Sequence, residues 1–211
     1  MAQKPIEFEL PSVNLGSGES ADRILDVPYA QQPASNWCWA TCTVMVAHFL
    51  LNSSIKICQL VSTHFSAQQC CDGAPTENSA TANSGSAFFW AQTPCNKTIK
   101  VSQVSPLYAA LGIQSQHRGR KIDFATLADQ IATLGCPVEV AFSWLGGGGH
   151  VALVRGVSMK SQMVRVSDPW PDTGDVIVPF SQLETAYDRG QWFDCWTDLR
   201  KQQETPSDGT I

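Results

Sequence analysis

The stretch Gln32-Pro33-Ala34-Ser35-Asn36-Trp37-Cys38-Trp39-Ala40-Thr41-Cys42-Thr43-Val44-Met45-Val46-Ala47-His48-Phe49-Leu50-Leu51 decides how this chain folds. From Trp37 to Leu51 it holds no glycine or proline, and Ala, Val, Met and Leu are frequent. That pattern predicts a helix that is apolar nearly all round and therefore buried. The residues before it are turn-like, and Ser35 or Asn36 is the expected N-cap. Cys38 then falls in the first turn. Unpaired N–H groups and the helix dipole there favour a thiolate, the nucleophilic form of cysteine. The competing reading is an inert buried thiol, the common fate of a lone cysteine. Cys42, one turn further in, has no such placement and is expected in the core.

Upstream, Pro5, Pro11 and Gly16-Ser17-Gly18 break any periodicity, so residues 1–26 predict an extended, flexible lead-in. Downstream, a second helix is expected from Gln59 to the Cys70-Cys71 pair. Small polar residues at 73–87 predict a long mobile loop. A short helix is expected at 106–111, then a basic loop at 117–121 with His117 solvated. Asp123 reads as the N-cap of a helix over 124–134, stopped by Gly135. The period then changes to that of strands, at 137–145, 151–157, 163–167, 176–178 and 191–199. A short helix is expected at 181–187 and a loose tail at 200–211. Helices fill the first half and strands the second. This segregation predicts an α+β fold, a helical lobe (about 27–135) packed on an antiparallel sheet (about 136–199).

The 211 residues suffice for one domain with a real core. A net charge of -5 disfavours a nucleic-acid binder. No apolar run reaches the ~20 residues that span a bilayer, so no membrane partner is expected. The start, Met1-Ala2-Gln3-Lys4-Pro5-Ile6-Glu7, lacks the apolar centre of a secretory signal. Localisation stays open, and a signal-independent secretion route fits this start.

A cysteine nucleophile needs a base. His48 lies ten residues along the same helix, ~15 Å from Cys38, and cannot reach it. His64 reads as a surface or metal residue. His150 differs, because it follows four glycines (146–149) and opens the apolar run Val151-Ala152-Leu153-Val154. Backbone there can approach a substrate closely. A hairpin turning at 159–162 would return the chain so that Asp168 arrives beside His150 and orients it. A turn-initiating Asp before Pro169 is the plain alternative. Trp170 could cover the His–Asp bond. Gln32, six residues before Cys38, could join the backbone N–H of Cys38 in an oxyanion hole, with Gln31 a near-equal candidate.

The order Gln32-x5-Cys38-Trp39-Ala40, then Gly149-His150, then Asp168-Pro169-Trp170 resembles the papain-like cysteine peptidases. It is most similar to a compact bacterial branch that includes plant-pathogen effector peptidases. The resemblance covers about 27–198. It implies a papain-like, two-lobed fold with the active site in the cleft between a helical lobe and a β-sheet or half-barrel lobe. It also implies that Cys38 attacks the scissile carbonyl, His150 activates it, Asp168 orients His150 and Gln32 stabilises the oxyanion. Asp168 replaces the Asn of plant papains, and an anionic partner should favour the Cys⁻/His⁺ pair. Trp39, Ser143, Trp144 and Trp170 are the candidate substrate-binding residues.

The implied function is a cysteine endopeptidase acting on a protein or peptide, as a monomer and without cofactor, as a secreted effector or a self-processing enzyme. A transglutaminase- or deamidase-like enzyme and an inactive binding module are the alternatives. Cys58, His64, Cys70, Cys71 and Cys95 could bind zinc, but no CxxC pair is present, so disulfides or plain thiols are favoured and no metal is expected. The pairing of Cys42, Cys58, Cys70, Cys71, Cys95, Cys136 and Cys195 cannot be deduced, except that adjacent Cys70 and Cys71 should not bridge each other.

Overall fold

The computed structural model describes residues 22–67, 69–71 and 94–203. The lead-in up to residue 21, the loop expected at 73–87 and the tail beyond 203 lie outside them. Helix α1 (Cys38–Leu51) runs through the middle of the molecule, with Trp39 to Ala47 all buried. Its all-round apolarity has a plain cause, since it packs on two sides. One face meets the sheet in a cluster with Met45, Val46, Phe142, Leu153 and Trp196. The other joins Trp37, Trp39, Val44, Leu60 and Val61 in a second cluster with α2 (Ile57–Phe65).

The sheet has seven strands, all paired antiparallel. They are β1 (Arg23–Ile24), β2 (Ile113–His117), β3 (Val138–Trp144), β4 (Gly149–Ser158), β5 (Met163–Ser167), β6 (Asp175–Pro179) and β7 (Gly190–Lys201). Their order is β2-β7-β3-β4-β5-β6, and β1 pairs with the end of β4. Helices α3 (Val101–Ala110), α4 (Phe124–Ala128) and α5 (Phe180–Glu184) complete the fold. Asp123 caps α4 by accepting from the Thr126 N–H at 2.7 Å, as expected. A mixed helical and antiparallel architecture is therefore present.

Several elements differ from the sequence expectation. Trp37, not Ser35 or Asn36, occupies the N-cap position of α1, without a side-chain cap. Helix α3 begins at Val101 and keeps Pro106 inside it. Its N-terminus is secured by Gln103, whose side chain accepts the Lys100 N–H at 2.8 Å. That bond and the burial of Val104, Leu107 and Tyr108 outweigh the hydrogen bond a proline cannot make. After α4 the chain continues as a π-helical turn, Asp129–Thr133. Strands β1 and β2 carry too little alternation to be read locally, and they form because an open strand edge takes them up. Both bring the first half of the chain into the sheet. His117 consequently lies in a strand, stacked on Trp196 with ring centroids 5.1 Å apart and bonded to Asp194 at 2.6 Å. It is exposed, as expected, but on a strand rather than in a loop. Among the described residues, no helix is long and apolar enough to cross a membrane.

One buried acid joins the two halves. Glu139 of β3 is fully buried and accepts a hydrogen bond from the Tyr108 hydroxyl of α3. Burial pushes its pKa up to about 7, although the Tyr108 bond pulls the other way. Its unfolded value is near the ordinary 4.5. Stability from this group is therefore full below the unfolded value and is lost as pH rises through the folded one. The loss amounts to about 3 kcal/mol. Denaturant titrations between pH 4 and 9 should show the protein weakening with pH, and Glu139→Gln should flatten that slope.

Candidate active site

Cys38 is the first residue of α1, is partly exposed and forms no disulfide. Its approach is held from outside the helix. Asn96 accepts the Asn36 N–H through its side-chain oxygen at 2.9 Å and donates from Nδ2 to the Ser35 hydroxyl at 2.8 Å. Asn36 donates its own amide to the Asn96 carbonyl at 3.0 Å. The indoles of Trp37 and Trp39 donate to the carbonyls of Cys95 and Lys97 at 2.9 and 3.1 Å. Segment 95–97 thus grips the residues flanking Cys38. It is itself tied down by a Cys70–Cys95 disulfide, next to a Cys58–Cys71 disulfide. The adjacent cysteines take different partners. The four thiols weighed as zinc ligands are joined in these bridges, while Cys42, Cys136 and Cys195 are buried and unbridged.

His150 arrives from the sheet. The β3–β4 turn is closed by Gly147 N–H to the Trp144 carbonyl and Trp144 N–H to the Gly148 carbonyl. Gly147 and Gly148 adopt φ of 86° and 87°, which glycine alone reaches without crowding. His150 follows, opposite Phe142 in the β3–β4 register. Strand β5 returns antiparallel with Ser167 opposite Leu153. Asp168 then leaves the strand within reach of the ring, and His150 Nε2 meets its Oδ1 at 2.7 Å. Asp168 Oδ1 also accepts the Trp170 N–H at 2.8 Å. Both side chains are nearly inaccessible, at 3% and 1% exposure.

With Nε2 committed to Asp168, Nδ1 is the nitrogen left to face Cys38, whose side chain and charge both act on His150. Burial alone would lower the imidazole pKa. The hydrogen bonds to Asp168 and Cys38, with their charges, outweigh burial and hold the imidazolium up to about 10. The site therefore favours a cationic His150 between two acids. Two indoles enclose it. Trp144 stacks at 5.6 Å between centroids and 22°, and Trp170 stands edge-on at 6.0 Å and 89°.

Gln32 is fully buried at the seam. Its backbone N–H donates to the Pro169 carbonyl at 2.9 Å, which joins the Asp168 turn to the run leading to Cys38. Its side-chain Nε2 donates to the carbonyls of Ala34 and Ser35 at 2.9 and 3.0 Å. Its Oε1 has no partner among the described residues.

Of the four candidate substrate-binding residues, Trp144 and Trp170 border an open cleft of about 320 Å³ with His150, Asp168, Thr173 and Arg189. Trp39 does not, because its ring turns into the α1–α2 cluster and is 3% exposed. Ser143 is exposed on β3 but is not part of that lining. Thr173 and Arg189 were not singled out from sequence, since Pro-Asp-Thr-Gly and Tyr-Asp-Arg-Gly read as ordinary turns. Half-buried Tyr187 was missed as well. Its phenol pKa is well above 10, because of burial first and the Asp168 charge second.

Residues 24–203 match the Peptidase_C39 like family. The chain belongs to that family. Its fold and class are those of papain-like cysteine proteases. No curated protein sequence matches it. Among solved structures, this C39-like peptidase is similar to a C39-like peptidase from Bacillus anthracis, with TM-score 0.54 and 16% identity over 87% of this chain and all of that one. It is also similar to the peptidase domain of Streptococcus ComA, a bi-functional ABC transporter of a quorum-sensing pathway. There the TM-score is 0.52, with 10% identity over 84% and 99% of the two chains. A third is a double glycine motif protease from an AMS/PCAT transporter, solved with its leader peptide. It has TM-score 0.50 and 12% identity over 83% and 94%.

The grip of segment 95–97 on the nucleophile has a measurable consequence. Asn96→Ala leaves the half-buried Asn36 N–H without its acceptor, a loss of about 1 kcal/mol. Guanidinium titration should show that loss, and iodoacetamide labelling of Cys38, followed by peptide mass spectrometry, should slow.

Proposed function

We propose that this protein is a cysteine endopeptidase that hydrolyses a peptide bond of a protein substrate through Cys38, His150 and Asp168. The observation that carries this is the enclosed 2.7 Å bond between His150 and Asp168 behind a partly exposed thiol at a helix start. The cationic imidazole keeps Cys38 as a thiolate. The thiolate adds to the scissile carbonyl. His150 then gives its proton to the departing amine, and the C–N bond breaks to leave a thioester on Cys38. A water surrenders a proton to His150 and adds to the thioester carbonyl. Collapse releases the acid product and returns the thiolate and imidazolium. Asp168 fixes the ring orientation throughout and offsets its charge.

The oxyanion is stabilised by the Cys38 backbone N–H and by Gln32. In the resting site both Gln32 amide hydrogens face the carbonyls of Ala34 and Ser35. One of them therefore turns to the substrate oxygen during the reaction. Trp144 and Trp170 flank the substrate at His150. All of these groups come from one chain, so the site needs no residue from a second copy, and we infer action as a monomer. The sequence resemblance supports delivery as a secreted bacterial effector, and two disulfides fit maturation in an oxidising compartment. The lead-in is the natural candidate for self-processing, which intact mass over a long incubation reads directly.

The test is the pH dependence of Cys38 alkylation and of peptide cleavage. Labelling should be fast well below the free-thiol pKa of about 8.5, and His150→Ala should move its rise to about 8.5. On the alkaline side the ion pair is lost as pH climbs through the raised pKa of His150, about 10. Asp168→Ala, which leaves the His150 ring without its orienting partner, should lower kcat by about 100-fold or more, and Cys38→Ala should abolish it. Two fragments from one chain support hydrolysis. A product heavier by about one dalton on an uncut chain would instead show deamidation, and would overturn the peptidase reading.

A further inference from the structure

The cleft beside His150 carries one cation that the triad does not use. Arg189 lines it together with Trp144, Asp168, Trp170 and Thr173. Arg118 and Arg165 are paired with Asp198 and Asp175. The Arg189 guanidinium has no hydrogen bond or ion pair among the described residues, and its one electrostatic effect is on Tyr187. It is exposed, in a chain of net charge -5.

Its backbone, by contrast, is tightly held. Ala186, Tyr187 and Asp188 adopt φ of 46°, 59° and 63°, three consecutive left-handed residues without a glycine. Crowding at Cβ disfavours each of them. The turn persists because Tyr187 N–H reaches the Gln182 carbonyl at 2.8 Å and the Thr185 hydroxyl bonds the Asp188 carboxylate at 2.9 Å. Gly190 follows, where a Cβ would lie 2.0 Å from the Ser143 carbonyl oxygen, so only glycine lets β7 approach β3 there. The Arg189 carbonyl accepts the Leu145 N–H at 2.9 Å. A strained turn, an obligatory glycine and this cross-strand bond together set Arg189 beside Trp144. Strain of this kind is found where a structure holds a residue for function.

His150 passes its proton to the departing amine, so groups on this side of the ring meet the part of the substrate that leaves with the amine. We propose that Arg189 is a specificity-determining residue that binds a carboxylate on the leaving-group side of the scissile bond. The proposal rests on the peptidase reading given above. A planar guanidinium with free donors suits a carboxylate, and Trp144 and Trp170 line the same cleft as flat apolar walls. That carboxylate is either an Asp or Glu side chain close after the cut or the carboxyl terminus of the substrate. Either source presents the same group to Arg189.

The test is a cleavage-site profile on a mixture of proteome-derived peptides, read by mass spectrometry. The unsubstituted enzyme should cut sites with Asp or Glu in the first positions after the bond, or near a free carboxyl terminus, about fivefold more often than their abundance. In Arg189→Gln the ratio should fall to about one, in Arg189→Lys it should recover in part, and in Arg189→Glu it should turn towards Lys and Arg. A second mixture with amidated carboxyl termini separates the two sources. An acidic preference that is absent from the unsubstituted enzyme, or that survives in Arg189→Gln, overturns the proposal. Binding keeps the inference separate from catalysis. Immobilised Cys38→Ala protein should retain acidic peptides from the same mixture, and Cys38→Ala/Arg189→Gln should not. That result supports the carboxylate site even if the active form cuts nothing, and equal retention by both overturns it.

Discussion

Everything at the site depends on holding a buried imidazolium between two acids contributed by different parts of the fold. A charged ring at 3% exposure is costly unless both of its nitrogens are satisfied. Asp168 bonds one, and the charge of Cys38 acts on the ring from the start of the helix. The first arrives at the end of β5 and the second at the start of α1. The seam between helix and sheet therefore has to be held closely in register. Small displacements would break a hydrogen bond in a low-dielectric setting, where such bonds are strongest and their loss is most expensive.

The architecture meets that demand from both sides of α1. On the sheet side, the helix packs into the main core, and Glu139 and Tyr108 add a polar contact across it. On the other side, a small second core is reinforced by two disulfides. Cys42 illustrates the contrast with Cys38. It is one helical turn away and fully buried, and burial, ahead of the Glu139 charge, drives its pKa well up. Its thiol points to the Val151 carbonyl at 3.6 Å. Two cysteines on one helix thus sit in opposite surroundings, one partly exposed and one buried.

Gln32 works in two directions. Its backbone ties the Asp168 turn to the chain entering α1, and its side chain braces that same entry through Ala34 and Ser35. The Asp168 turn and the start of α1 are therefore mechanically joined. The paired indoles around His150 complete the arrangement by keeping water from the ring. Arg189 stands just outside them, where selectivity for a substrate can be set without disturbing the ion pair.

Much of this was legible in the chain itself. An uninterrupted apolar run predicts a buried helix with Cys38 at its start, because helix formation and burial follow from local composition. A strand, a four-residue turn and a second strand bring Asp168 back to His150, because hairpin geometry is local too. What could not be read were features created by distant backbone. Asn36 is not a cap because Asn96, sixty residues away, takes up its groups. Strands β1 and β2 exist because open sheet edges recruit them. Cysteine pairing, the inward turn of Trp39 and the position of Arg189 likewise depend on partners far along the chain. The sequence by itself determined the fold class and singled out Cys38 and His150, since those rest on periodicity and functional groups. The tertiary structure alone decided how Cys38 is gripped and where Arg189 stands, since contacts between distant residues leave no local pattern.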